Sequence, residues 1–161
     1  MAMKPEYEEP FREYAWNYFE LHADQRLKAF QFYIVLSAVI VGGFFTILKA
    51  GGNHKWISVL GFLWGFLSFV FWKMDQRIRQ LVKNAEAALK FLDDQYRLPN
   101  MDGAPHLLRL FSRDDFITGA APRWPLIYGY FSYSRVFEWV FFIFGVVGAA
   151  GGLICLILLP A

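Results

Sequence analysis

The sequence predicts an all-α integral membrane protein with three transmembrane helices, and three apolar runs carry that expectation. Phe30 to Leu48, Trp56 to Trp72 and Val136 to Leu159 each approach or exceed the roughly 20 residues needed to cross a ~30 Å hydrocarbon layer. None contains Asp, Glu, Arg or Lys except Glu138. Composition agrees: 57% of the 161 residues are hydrophobic and 20% aromatic, with 18 Phe and 6 Trp, more than a soluble domain of this size would bury. In lipid, helices satisfy their own backbone groups, and the chain has too little strand pattern to close a barrel.

Seven segments follow in order. Residues 1–28 form a polar, aromatic-rich cytoplasmic helix. No Pro or Gly interrupts the chain from about Phe11 until Gly42-Gly43, and Pro10 is expected in the first helical turn. Residues 29–50 are span 1, 51–55 an external turn, and 56–73 span 2. Nothing between Trp56 and Arg97 breaks the return helix except Gly61 and Gly65, which lipid-embedded helices tolerate, so residues 74–98 continue it into the cytoplasm until Pro99. At ~1.5 Å per residue that extension reaches roughly 35 Å.

Met74, Ile78, Leu81, Ala85, Ala88 and Leu92 recur along this extension at alternating steps of four and three, the seam of a left-handed coiled coil. Val82 and Leu89 widen the apolar face. Lys83, Asn84, Glu86, Lys90, Asp93 and Asp94 are expected on solvated faces. The seam packs either on the chain's own N-terminal helix, as a hairpin, or between subunits; a face this wide accommodates both.

Residues 99–134 form an interfacial connector broken by Pro105, Pro122, Pro125, Gly103, Gly119 and Gly129. Within it His106 to Phe116 is amphipathic and suits a helix lying at the membrane surface. Trp124, Tyr128, Tyr130, Phe131 and Tyr133 suit the aromatic belt at headgroup level. Residues 135–161 are span 3.

Lys and Arg set the expected orientation. Arg26 and Lys28 precede span 1, Lys73, Arg77, Arg79 and Lys83 follow span 2, and Arg135 precedes span 3, whereas the first turn offers only Lys49 and Lys55. The N-terminus and central segment are therefore expected in the cytoplasm and the C-terminus outside, in a bacterial inner membrane. The first apolar run follows a Glu-rich segment with no cleavage-type site after it, so span 1 is expected to act as an uncleaved insertion signal.

Chemistry is sparse. The net charge of +2 is spread among interleaved acids and bases, which argues against a nucleic-acid partner. The single Cys155 lies in span 3 and excludes an internal disulfide or zinc knuckle. His22, His54 and His106 match no metal-ligand spacing, and phosphate-loop, dinucleotide and nucleophile-turn motifs are absent. No cofactor, metal or enzymatic activity is expected. Two polar features remain. Glu138, one turn into span 3, must reach the interface, pair with a cation such as Arg135, or line a protein interior. His22, Asp24, Gln25 and Arg26, with Arg79 on the return helix, form either a structural collar or a pore mouth. Gln25 and Arg26 are within expected reach of Asp75, Gln76 and Arg79 across the hairpin. The small pairs Ala38 and Gly42, Gly61 and Gly65, and Gly148 and Gly152 mark close helix packing and favour self-association.

The N-terminal helix ending His22-Ala23-Asp24-Gln25-Arg26, the two closely spaced spans, and the long helix reading Arg77-Ile78-Arg79-Gln80-Leu81-Val82-Lys83 resemble small bacterial multi-span membrane proteins and, in layout, the SLATT-type two-span effectors of bacterial conflict systems. The resemblance covers about residues 11 to 97, and span 3 departs from it. It implies an oligomeric, pore-forming or membrane-disrupting effector in antiphage defence, activated by a cytoplasmic sensor protein. Spans 1 and 2 would then line the assembly. The alternative is a membrane scaffold that recruits a cytoplasmic partner through its hairpin.

Overall fold

The computed structural model describes residues 5–51, 54–95, 110–112 and 133–158. Its elements are three long helices: α1 (Pro5–Lys49), α2 (His54–Gln95) and α3 (Tyr133–Leu158). Each contains a stretch long and apolar enough to cross a membrane. Residues 110–112 are also helical, and the rest of the expected surface helix, together with Trp124, Tyr128, Tyr130 and Phe131 of the aromatic belt, lies outside the described residues.

Helix α1 starts earlier than its proline suggests. Pro5, not Pro10, opens the first turn, and Pro10 sits inside the helix, where its missing N–H leaves one carbonyl of the preceding turn without a helical donor. The far end closes with Ala50 N–H donating to the Thr46 carbonyl at 3.1 Å and Gly51 N–H to the Leu48 carbonyl at 3.3 Å. Gly51 has φ of 62°, a left-handed conformation that a residue without Cβ adopts without strain.

The described residues fall into two compact units: a span unit of residues 25–77 and 133–158, and a seam unit of residues 5–24, 78–95 and 110–112. In the seam unit Ala15, Ala85, Leu89 and Leu92 are buried, and Ile78, Leu81 and Ala88 are half-buried. Ala85 and Leu92 are thus enclosed within a single chain, so this part of the seam is not open to a second copy. Arg12 on α1 donates to Asp93 on α2 at 2.9 Å and to Glu8 one turn away at 3.4 Å. The bond to Asp93, outweighing desolvation, holds the Arg12 guanidinium above its ordinary pKa.

Two residues depart from the expected pattern: Met74, the first of the expected seam, is exposed in the span unit, and Glu86 is not on a solvated face. Glu86, assigned from sequence to a solvated face, is buried and accepts from Lys83 Nζ at 2.7 Å and Lys90 Nζ at 2.6 Å. The enclosed arc of α2 extends from Ala85 round to the next position, wider than the seam requires, and the two lysines compensate the carboxylate there.

Candidate functional site

In the span unit, α2 and α3 meet backbone to backbone. A Cβ added to Gly61 would lie 2.7 Å from both N and Cα of Gly152 and 2.8 Å from the Gly148 carbonyl oxygen. One added to Gly148 would lie 2.9 Å from Gly65 N, and one added to Gly152 would lie 3.0 Å from the Ser58 carbonyl oxygen. Gly61, Gly65, Gly148 and Gly152 therefore form one intramolecular contact. Ala38 and Gly42 do not join it: both are exposed, and a Cβ on Gly42 would meet nothing within 4 Å.

Helix α1 joins this pair through aromatic and polar groups. Phe30 stacks on Phe137 at 3.9 Å and 4°, and Tyr33 meets Phe141 edge-on at 4.8 Å. Tyr33 and Phe141 are buried with Phe137 in one cluster. The polar groups among these rings satisfy one another. Ser68 Oγ donates to the Trp64 carbonyl at 2.8 Å, so its oxygen accepts from the Tyr33 hydroxyl, also at 2.8 Å. Trp64 Nε1 donates to Ser37 Oγ at 3.0 Å. Tyr33, Ser37 and Ser68 are all buried.

At the end of the unit where α1 enters, a charged clamp ties all three helices together. Arg26 on α1 donates from Nε to Asp75 Oδ1 at 2.7 Å and from Nη2 to Oδ2 at 3.0 Å, both on α2, and from Nη1 to Ser134 Oγ on α3 at 3.0 Å. Its guanidinium carbon also lies 5.1 Å from the centre of the Phe137 ring. The side chains of Arg26 and Asp75 are only 13% and 5% exposed. A two-pronged pair with the third guanidinium nitrogen also bonded and a ring beside the cation is one of the few arrangements that offsets the desolvation of both ions.

The expected collar is thus divided. Arg26 is half-buried in the clamp, and Asp75, one of the partners expected for it, is its acceptor. Gln25 shares the span unit and is exposed; His22, Asp24 and Arg79 belong to the seam unit. His22 packs edge-on against Tyr18 at 4.3 Å. Glu138 is half-buried beside Arg135, Gln76 and Trp139 at one end of a cavity of about 850 Å³ between α2 and α3. Among the described residues no group of His, Cys, Asp and Glu is placed to hold a metal ion. The sequence reading missed the Tyr33–Ser68–Trp64–Ser37 chain. Its signal was present: two hydroxyl residues at one-turn spacing from an aromatic with a polar handle, inside apolar runs.

The clamp, the glycine contact and the hydroxyl chain are all structural contacts between helices. They stabilise three helices against one another and leave much of their apolar surface outward. The model of the octameric membrane protein family matches residues 12–158, taking in the third span that the SLATT-type layout leaves out. The chain is also 36% identical over 142 residues to CD-NTase-associated protein 19 of Escherichia coli, covering 84% of each chain. No solved structure matches it. With three helices able to cross a membrane, the chain is a multi-pass, homo-oligomeric membrane protein and belongs to the octameric membrane protein family.

Proposed function

We propose that the protein is a non-enzymatic, homo-octameric effector of the bacterial inner membrane that acts alongside a CD-NTase in antiphage defence and opens or disrupts the bilayer. The observation that carries this reading is the family match across residues 12–158, joined to the relative named for its association with a CD-NTase. The clamp and hydroxyl chain give each subunit a rigid, internally satisfied bundle, and assembly of such bundles is one way to build a membrane lesion of defined size. The N-terminus and residues 74–98 are assigned to the cytoplasm and the C-terminus to the outside, following the Lys and Arg bias. A cytoplasmic sensor or activator would meet the seam unit.

The test is dye release from liposomes carrying the purified full chain, paired with membrane potential in cells that express it. Leakage that rises with assembled protein is expected. Octamers in sealed liposomes and unperturbed cells would overturn a lytic role. The second reading, a membrane scaffold recruiting a soluble partner, is favoured by one observation: Tyr7, Phe11 and Tyr14 form an exposed aromatic row on α1 of the seam unit, the kind of surface that partners cover.

A further inference from the structure

Packing inside the span unit leaves two surfaces uncovered, and they complement each other. The first is a stripe on α1. Lys28, Phe32, Val35, Val39 and Gly42 recur at steps of four, three, four and three, the spacing of a helix–helix seam. Val35 and Val39 are 62% and 66% exposed, whereas Tyr33, Ser37 and Ile40 on the other side of α1 are buried. The Gly42 end of the stripe is open space, which lets another helix approach closely.

The second surface is the cavity of about 850 Å³ between α2 and α3. Gly65 and Gly145 are part of its lining, Phe69 and Phe142 bound it with apolar surface, and Arg135 and Glu138 stand at one end. It is a largely apolar trough with a charged mouth.

The two surfaces lie at matching depth. Residue 26 of α1 bonds residue 134 of α3, residue 30 stacks on 137, and residue 33 meets 141, so α1 and α3 run parallel, each α1 position level with the α3 position about 108 further along the chain. Residue 28 is therefore level with about residue 136, and residue 35 with about 143. In a ring whose copies share one orientation in the bilayer, the stripe of one copy arrives at the trough of the next in register. Lys28 then meets the end that holds Glu138, and Val35 meets Phe142. A closed ring of one chain needs such a contact between two different patches, and the family is octameric.

We propose that the α1 stripe of one copy seats in the α2–α3 trough of its neighbour, with Lys28 beside Glu138 of the partner subunit. The proposal rests on the chain being homo-oligomeric and not on what the assembly does to the membrane.

The test uses the full chain in native membranes with Cys155, its single cysteine, changed to Ala. Val35→Cys and Phe142→Cys on one chain should give, under mild oxidation, a disulfide ladder reaching the octamer, absent from either single variant. Co-expression of the two single variants should give a cross-linked dimer and no ladder. Pairing Val35→Cys with Ile157→Cys, at the wrong depth, should give neither. Native mass spectrometry showing octamers without a ladder would overturn the proposal, leaving lipid or another protein in the trough. Dimers from Val35→Cys alone would overturn it differently, since the stripe would then meet its own counterpart. A full ladder in sealed liposomes would uphold this interface while removing the lytic reading.

Discussion

In the span unit α2 and α3 approach until glycine backbones touch, and the polar groups of the core bond one another with almost no exposure. In the seam unit the helices are joined by buried Leu89 and Leu92 and by an Arg12–Asp93 pair whose arginine stays 41% exposed. The difference follows from solvent. Lipid tails are as apolar as leucine, so burying leucine between helices in a bilayer gains little, and close approach and hydrogen bonds carry the association. Residues 78–95 carry too many charges to lie in hydrocarbon. Where water is the alternative, each buried leucine contributes about 1.5–3 kcal/mol and geometry matters less.

The largest effect expected from this contrast is at Gly61. Even a single Cβ there would overlap the Gly152 backbone at 2.7 Å, and neither backbone can yield without separating α2 from α3. Gly61→Leu should abolish a monodisperse species in detergent sizing, as should Gly148→Leu. Gly151→Leu, on the same helix with nothing within 4 Å of its Cβ, should behave as the parent. Similar elution of Gly61→Leu and Gly151→Leu would refute the contact.

The clamp comes next. Arg26→Met leaves Asp75 buried without its cation, a loss of about 3–5 kcal/mol, read as a drop in thermal unfolding temperature in detergent. Adding Asp75→Leu should recover much of that loss, because an apolar pair of similar volume removes the uncompensated charge. A double variant no more stable than Arg26→Met alone would mean the two side chains are not paired.

Much of this fold was legible in the residues. Apolar run length announced three helices, and the step pattern of Ala85 and Leu92 announced a packed face, because both depend on local periodicity. The glycine pairs announced close packing without saying where: Gly61 and Gly65 meet Gly148 and Gly152, whereas the equally spaced Ala38 and Gly42 face outward. Which small stripes meet depends on tertiary contact that spacing alone does not encode. Sequence alone places Arg26 as a polar residue at a span entrance, but its enclosure follows from Phe137 beside it and Ser134 bonding it, two residues over a hundred positions away. The hydroxyl chain at Tyr33, Ser37 and Ser68 is not legible in the sequence as a connected chain, because isolated serines in an apolar run read as filler until a partner helix is in place.

A smaller effect separates neighbours in the seam unit. Leu92 is fully buried and Phe91, the larger side chain beside it, is 55% exposed. Leu92→Ala should cost about 2–5 kcal/mol, measured by urea unfolding followed through helix content, whereas Phe91→Ala should change little. The reverse order would place the packed face of α2 on its other side.

The smallest effect is expected at Arg12. Its bond to Asp93 joins the two helices of the seam unit, but the side chain is 41% exposed, and ion pairs in contact with water contribute about 0–1 kcal/mol. The bond raises the guanidinium pKa above its ordinary value. A raised value means that the contribution is fully present below the unfolded-state pKa and is lost only as pH rises through the folded one, so this group adds no pH dependence near neutrality. Salt is the better probe, since the Debye length falls from about 10 Å at 0.1 M to about 3 Å at 1 M. Arg12→Gln should lower urea stability slightly in low salt, and the gap from the parent should narrow as salt rises. A loss as large as that of Leu92→Ala, unchanged by salt, would show that the seam unit depends on a dry ion pair as the span unit does, and the solvent-based contrast between them would fail.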